Sequence, residues 1–499
     1  MRSDQRRSDL LSNAASSSGA GADARRHARV IHALLEQRRD AYRLRRISLT
    51  ARMQYAELTE LAEAANLLIL DEAAKEPALN SHFANPFRLQ GRHAMRFSSF
   101  ARYALCACVA AAMLAACSGS QPPIGAPLSA SRASVTYNVL YSFKGGSDGE
   151  QPLGSLLDVN GTLYGTTWGG GHKGRTGRSL GTVFALTTSG AESVLHRFAG
   201  ARQGDGANPR ANLMDVNGTL YGTTSKGGTV QKEAWGTVFA ISLSGDENVL
   251  YSFRGGAAGD GKLPTAGLAR VGGTFYGTTN NGGNPSACQG GCGTVYSVTV
   301  NGSEKVLHSF GGSNDGRNPF AGLIDVDGTL YGTTGGGGAN LKGTVFAITT
   351  SGKERVLHSF GGGSADGAGP LGALINVDGT LYGTTSDGGT KNGGTVFSIS
   401  RTGKETVLYN FGPSGEAFPQ GALTYVNGTL YGTTTAFNSY NGSIFSLTLD
   451  GKETVLHSFG GGTDGSDPEA GLINVNGTLY GTTAGGGANH GGTVFSLTP

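Results

Sequence analysis

Three short motifs, each written seven times, predict an all-β chain closed into a seven-bladed β-propeller. Tyr-Gly-Thr-Thr starts at Tyr164, Tyr221, Tyr276, Tyr331, Tyr382, Tyr431 and Tyr480. Gly-Thr-Val-Phe or a close variant starts at Gly181, Gly236, Gly293, Gly343, Gly394, Gly442 and Gly492. Val-Leu-x-x-Phe starts at Val139, Val194, Val249, Val306, Val356, Val407 and Val455. The composition agrees. The 499 residues include 85 glycines, and all but Gly19, Gly21 and Gly91 lie from Cys117 onward. There is no Gly-X-Y period, so the excess is not collagen. With 15 prolines and 15% charged residues, neither a Pro/Gly linker nor a charge-driven disordered chain fits.

Each unit reads as four strands. The first is apolar and small, as at residues 321–326. A two-residue turn follows: Asn160-Gly161, Asn217-Gly218, Asp327-Gly328, Asp378-Gly379, Asn427-Gly428 or Asn476-Gly477. These pairs supply the positive φ of a type I′ hairpin, and Gly272-Gly273 fills the place in the third unit. Thr-Leu-Tyr-Gly-Thr-Thr is the second strand, Gly-Thr-Val-Phe begins the third, and Val-Leu-x-x-Phe lies in the fourth. A further tight turn, such as Ser351-Gly352, joins the last two.

The units start and stop out of phase. Nothing of the repeat precedes the first Val-Leu-x-x-Phe, and none follows the last Gly-Thr-Val-Phe. The seventh blade therefore expects strand 135–143 to pair antiparallel with strand 492–498, which closes the ring and removes two sheet edges. The unit resembles the tandem repeat of the choice-of-anchor GloVer bacterial proteins, and the resemblance covers residues 135–499. It implies an exported, surface-attached protein and no particular reaction.

Ahead of the repeat, residues 95–117 combine a short basic start at Met95 and Arg96, an apolar run and Leu114-Ala115-Ala116-Cys117. That is a secretory signal pattern. Its ending resembles the lipobox of bacterial lipoproteins, which implies lipidation at Cys117, a membrane anchor, and an outer-membrane or cell-surface address. Residues 118–134 read as a flexible tether. Residues 1–94 carry a net charge of +4 and share nothing in composition with the repeat. They read as a gene-model artefact upstream of Met95, or as a disordered or helical extension. From Cys117 on the net charge is −3, which argues against a nucleic-acid partner. Cys288 and Cys292 expect a disulfide in an oxidising compartment.

Tight turns fall on one face of the ring and the variable connections on the other. The loops between the second and third strands are longest in blades one to three. Loop 168–180 carries Trp168, His172, Lys173, Arg175 and Arg178. Loop 225–235 carries Lys226, Lys232 and Trp235. Aromatic rings beside cations suit a glycan or an anionic polymer. Asp148, Asp205, Asp260, Asp315, Asp366 and Asp464 recur as Asp-Gly-x-x-Pro and read as turn residues rather than metal ligands. His196, His308, His358 and His457 exchange with Tyr141, Tyr251 and Tyr409 at one fourth-strand position, which marks interfacial packing. No catalytic constellation, metal spacing or cofactor motif is visible. The expectation is a monomeric binding scaffold for a glycan or an envelope protein. The rivals are a glycan lyase or hydrolase with its site at the channel mouth, and a structural envelope protein.

Overall fold

A computed structural model describes residues 135–174, 177, 179–229, 235–255, 259–311, 314–364, 366–412, 417–435 and 441–499. The signal segment, Cys117 and the tether lie outside the described residues, as do Arg175, Arg178 and Lys232. Seven four-stranded sheets form, and every pairing in them is antiparallel. In the first blade the strands are Leu157–Val159, Thr162–Thr167, Thr182–Thr187 and Glu192–Arg197, in chain order across the sheet. Among the described residues the one helical element is the short 3-10 turn Ala201–Gln203, and no helix is long and apolar enough to cross a membrane.

The seventh blade is completed from the other end of the repeat region. Ile473–Val475, Thr478–Thr483 and Thr493–Thr498 are joined by Thr136–Ser142. The register runs antiparallel from Thr136 opposite Thr498 to Ser142 opposite Thr493. The propeller and its predicted closure are therefore present.

Turn chemistry explains each hairpin. In six blades both turn residues are left-handed, as at Asn160 (φ 53°) and Gly161 (φ 83°), the type I′ pattern. The third blade differs: Gly272 has φ 60°, and Gly273 is not left-handed. The second hairpin is a three-residue loop. In blade one Gly190 N–H donates to Thr187 O at 2.9 Å, Thr187 N–H to Ala191 O at 3.0 Å, and Gly190 takes φ 92°. The first strands are only three residues long, shorter than the stretch 321–326 suggested. First strands of adjacent blades meet around the axis, where backbones pack on one another instead of pairing. A Cβ on Gly322 would lie 2.9 Å from the Gly267 carbonyl oxygen.

The motifs specify the blade interfaces. Each Phe of Val-Leu-x-x-Phe is buried against the next blade's Gly-Thr-Val-Phe ring, as Phe310 meets Phe346 edge to face at 5.2 Å. Phe143 and Phe184 repeat this at 5.1 Å across the closure. Such pairs add about 0.5–1.5 kcal/mol beyond their buried area. The Gly of Tyr-Gly-Thr-Thr leaves room for that ring: a Cβ at Gly332 would lie 2.7 Å from Phe346 Cζ. The first Thr donates to a backbone carbonyl of the next blade, as Thr333 does to Gly372 at 3.2 Å. The second Thr meets the third strand, as Thr334 meets Thr344 at 2.8 Å. The fourth strand bulges in every blade, and Leu195 is the extra residue in blade one. The next blade's turn glycine fits over its carbonyl: a Cβ on Gly245 would come within 2.5 Å of Leu195 O. The hydrophobic core accordingly lies between blades, as in the cluster of Val295 and Phe310 with Leu330 and Phe346.

Candidate functional site at the channel mouth

The loop face is braced rather than loose. Four inter-blade segments meet the start of a loop in a two-residue ladder, as Gly206–Ala207 with Lys226–Gly227 and Gly316–Arg317 with Gly336–Gly337, and two more make a single bridge, Glu150 with Gly169 and Ser466 with Gly485. The residue before each repeat proline is left-handed, including Gln151 (φ 57°), Leu263 (φ 57°) and Phe418 (φ 62°). This conformation is uncommon for such residues. Its reward is a bridge between blades: Leu263 N–H donates to Trp235 O at 2.9 Å, and Leu263 O accepts from Asn280 N–H at 3.0 Å.

Two residue positions on this brace face the axis. One follows the proline: Leu153, Arg210, Thr265, Phe320, and then Leu371, Gln420 and Glu469. The other follows Tyr-Gly-Thr-Thr and includes Trp168, Asn280, Gly335 and Thr435. They alternate around the ring. Gly335 lies between Phe320 and Leu371, its Cβ position 3.2 Å from each, and Gln420 Nε2 donates to Thr435 Oγ1 at 3.3 Å. Arg210 of blade two reaches across blade one to Glu469 of blade seven at 3.1 Å. Burial raises the Glu469 pKa, against the pull of Arg210. A cavity of about 460 Å3 opens here, lined by Trp168, Arg210, Asp467 and Glu469 among others. In blade three, Asn280 Nδ2 and Thr265 Oγ1 are buried without a protein partner. Phe320 is 43% exposed.

Of the described loop residues singled out in the sequence, Trp168 alone lines this cavity. Lys226 Nζ lies 5.7 Å from the Trp168 ring centre. His172 and Lys173 are exposed on a small arm where Lys173 bridges to Ser179. Trp235 stands under Lys262, whose Nζ is 5.0 Å from its ring, and it is 38% exposed. Cys288 and Cys292 are joined, with Cα atoms 5.4 Å apart. They tie the blade-three loop, and Cys292 O accepts from Asn318 N–H at 2.7 Å. The ring position after proline was not singled out in the sequence. Its signal was present as the one variable residue between an invariant proline and an invariant small residue.

A second set of titratable groups lies at the outer rim. The recurring Asp does hold its turn: Asp205 accepts from Ala199 N–H at 2.7 Å and Gly206 N–H at 2.5 Å. It also accepts from the fourth strand, through His196 at 3.1 Å, His308 to Asp315 at 3.1 Å, or Tyr251 to Asp260 at 2.8 Å. The next blade adds a Glu that sequence reading left out. Burial and the neighbouring Asp push Glu192, Glu247, Glu304 and Glu405 up to about 7. Burial alone would raise Asp315, but the His308 hydrogen bond and two backbone N–H groups hold it below the usual value.

No curated protein sequence matches this chain. Among solved structures it is similar to a luciferin-regenerating enzyme (15% identity, 56% of this chain, 88% of that one, TM-score 0.33). It is also similar to a quinonprotein alcohol dehydrogenase-like protein from Bacteroides thetaiotaomicron (12%, 63%, 65%, 0.36) and to a puromycin hydrolase (12%, 68%, 50%, 0.36). These likenesses are of fold alone. The sequence model of the Gloeobacter/Verrucomicrobia repeat matches residues 115–290 and 285–442. The residues it covers include the motifs that build the blade interfaces, and the chain belongs to the Gloeobacter/Verrucomicrobia repeat family.

Proposed function

We propose that this propeller is an exported scaffold, lipid-anchored through Cys117 at the bacterial envelope, that binds a glycan at the axial mouth of its loop face. The observation that carries the binding reading is Trp168. It is the one large aromatic residue at its ring position, and it lines a cavity of about 460 Å3 together with the Arg210–Glu469 pair. That volume lies in the usual range for small-molecule sites. A ring face with a fixed polar pair beside it suits a sugar. Arg210 is matched by Glu469, and Asp467 lines the same cavity, which favours an uncharged glycan over an anionic polymer.

The hydrolase or lyase alternative has one observation in its favour. Asp467 and Glu469 line one cavity, and burial raises the Glu469 pKa. A glycan array read first for retention and then for released product separates the two. The binding reading expects retention without product, and retention by Trp168→Ala at the wild-type level overturns it. Palmitate labelling that is lost in Cys117→Ser tests the anchor.

A further inference from the structure

Three blade interfaces carry the same ligand set. His196, Asp205 and Glu247 form one cluster, His308, Asp315 and Glu354 a second, and His358, Asp366 and Glu405 a third. In each, one ligand atom per residue lies within 4.8 Å of the other two. The histidine and aspartate come from one blade and the glutamate from the next. We propose that these three clusters are divalent transition-metal sites, each stapling two neighbouring blades at the rim of the propeller.

The donor chemistry selects the class of ion. One imidazole and two carboxylates suit borderline cations such as Zn2+ or Co2+, whereas calcium and magnesium prefer all-oxygen sites. Three protein ligands leave a position for solvent, as in open zinc sites. The ligands are also held in place beforehand. Asp205 is oriented by the Ala199 and Gly206 N–H groups, Asp315 by Gly311 and Gly316, and Asp366 by Gly361 and Gly367. Each imidazole packs edge to face on the phenylalanine two residues on, with centroids 4.8–4.9 Å apart. The third ligand is present without a protein partner: Oε1 of Glu247, Glu354 and Glu405 is buried and accepts no hydrogen bond. A buried carboxylate oxygen left in this way is costly, and a cation satisfies it. The histidine side chains remain about one-fifth exposed, at 19%, 22% and 22%, so an ion can enter from solution.

Three of the four remaining interfaces depart from the set at one residue, and the fourth has Tyr409 for the histidine and Gly415 for the aspartate. At the closure, His457 and Asp464 are present, but Tyr137 stands where the other blades have glutamate, and it stacks on His457 at 3.8 Å. Elsewhere Tyr141 and Tyr251 replace the histidine and donate to Asp148 and Asp260. Tyrosine is thus a substitution the fold already accepts at this position.

The test uses the full chain, stripped with chelator and titrated with Zn2+ in equilibrium dialysis. The triple variant His196→Tyr/His308→Tyr/His358→Tyr is expected to bind three fewer equivalents than wild type, with an unchanged melting temperature in chelator. The triple variant Glu247→Gln/Glu354→Gln/Glu405→Gln keeps every histidine and is expected to lose the same three equivalents. His457→Tyr is expected to lose none. Zn2+ should raise the melting temperature of wild type and of neither triple variant. Retention of the three equivalents by either triple variant, or loss of one in His457→Tyr, overturns the proposal.

Discussion

The hydroxyl of Thr482 donates to the carbonyl oxygen of Gly154 at 3.3 Å, across 328 positions of sequence. The same bond links every other neighbouring pair of blades, from Thr166 to Ala211 at 3.0 Å through to Thr433 to Ala470 at 2.9 Å. Each of these threonines is almost wholly buried, so its hydroxyl has no water to turn to in place of that carbonyl. Thr333→Val, which keeps the shape and removes the donor, is expected to cost about 1–3 kcal/mol. Thr333→Ser should recover most of it. Denaturant unfolding measures both, and equal midpoints for wild type and Thr333→Val would show that the ring bond is dispensable.

Tyr296 occupies the place that phenylalanine holds in the other six blades, and its hydroxyl is fully buried without a partner. Tyr296→Phe is therefore expected to stabilise the chain by about 1–3 kcal/mol. Gly332→Ala should act in the opposite direction by a similar amount, because its Cβ would meet Phe346 Cζ at 2.7 Å and Leu323 Cδ2 at 2.8 Å. Adding Phe346→Leu to Gly332→Ala should return part of the loss, which a double-mutant cycle reads as coupling.

The rim glutamates give the metal-free protein a pH dependence with a definite sign. Glu192, Glu247, Glu304 and Glu405 are raised to about 7 in the folded state. Folding therefore binds protons that the unfolded chain releases at the usual carboxylate value, and the stability so gained is lost as pH rises through about 7. His358 is also raised and adds the same sign, whereas Asp315 and Asp366 are lowered and act only in strong acid. In chelator, the melting temperature should fall between about pH 5 and pH 8. Glu192→Gln/Glu304→Gln, in two clusters without histidine, should flatten that slope. A melting temperature constant over this range in wild type contradicts the assignment.

At the axial mouth, Trp168→Ala should weaken glycan retention at least tenfold, the loss of about 1.4 kcal/mol or more. Trp235→Ala should leave retention unchanged, because Trp235 packs under Lys262 and does not line the cavity. Surface plasmon resonance with a retained glycan measures both. Equal losses in the two variants would move the site outward onto the loops.

Much of the fold is legible in the chain because its determinants are local and written seven times. Asn-Gly turns, β-branched strands and a motif count out of phase at both ends lead to the number of blades and the closing strand. The site is less legible. Leu153, Arg210 and Glu469 stand far apart in the sequence, and each reads alone as a residue after a proline. Trp168 was visible for its rarity, but Trp235 was equally rare and lies elsewhere. The histidine and tyrosine exchange correctly pointed to an interface. The glutamate it meets belongs to the next unit, where it reads as an exposed charge at the head of a strand.

By itself the sequence determined the blade: which residues turn, which alternate into strands, and which glycines recur. Only the tertiary structure decided what the repeats do to one another. Closing the ring brings one residue from each of seven separated units to the axis, and at five interfaces sets a glutamate of one blade against its neighbour's aspartate. Contacts of that kind depend on the angle between packed sheets, and no local pattern of residues encodes that angle.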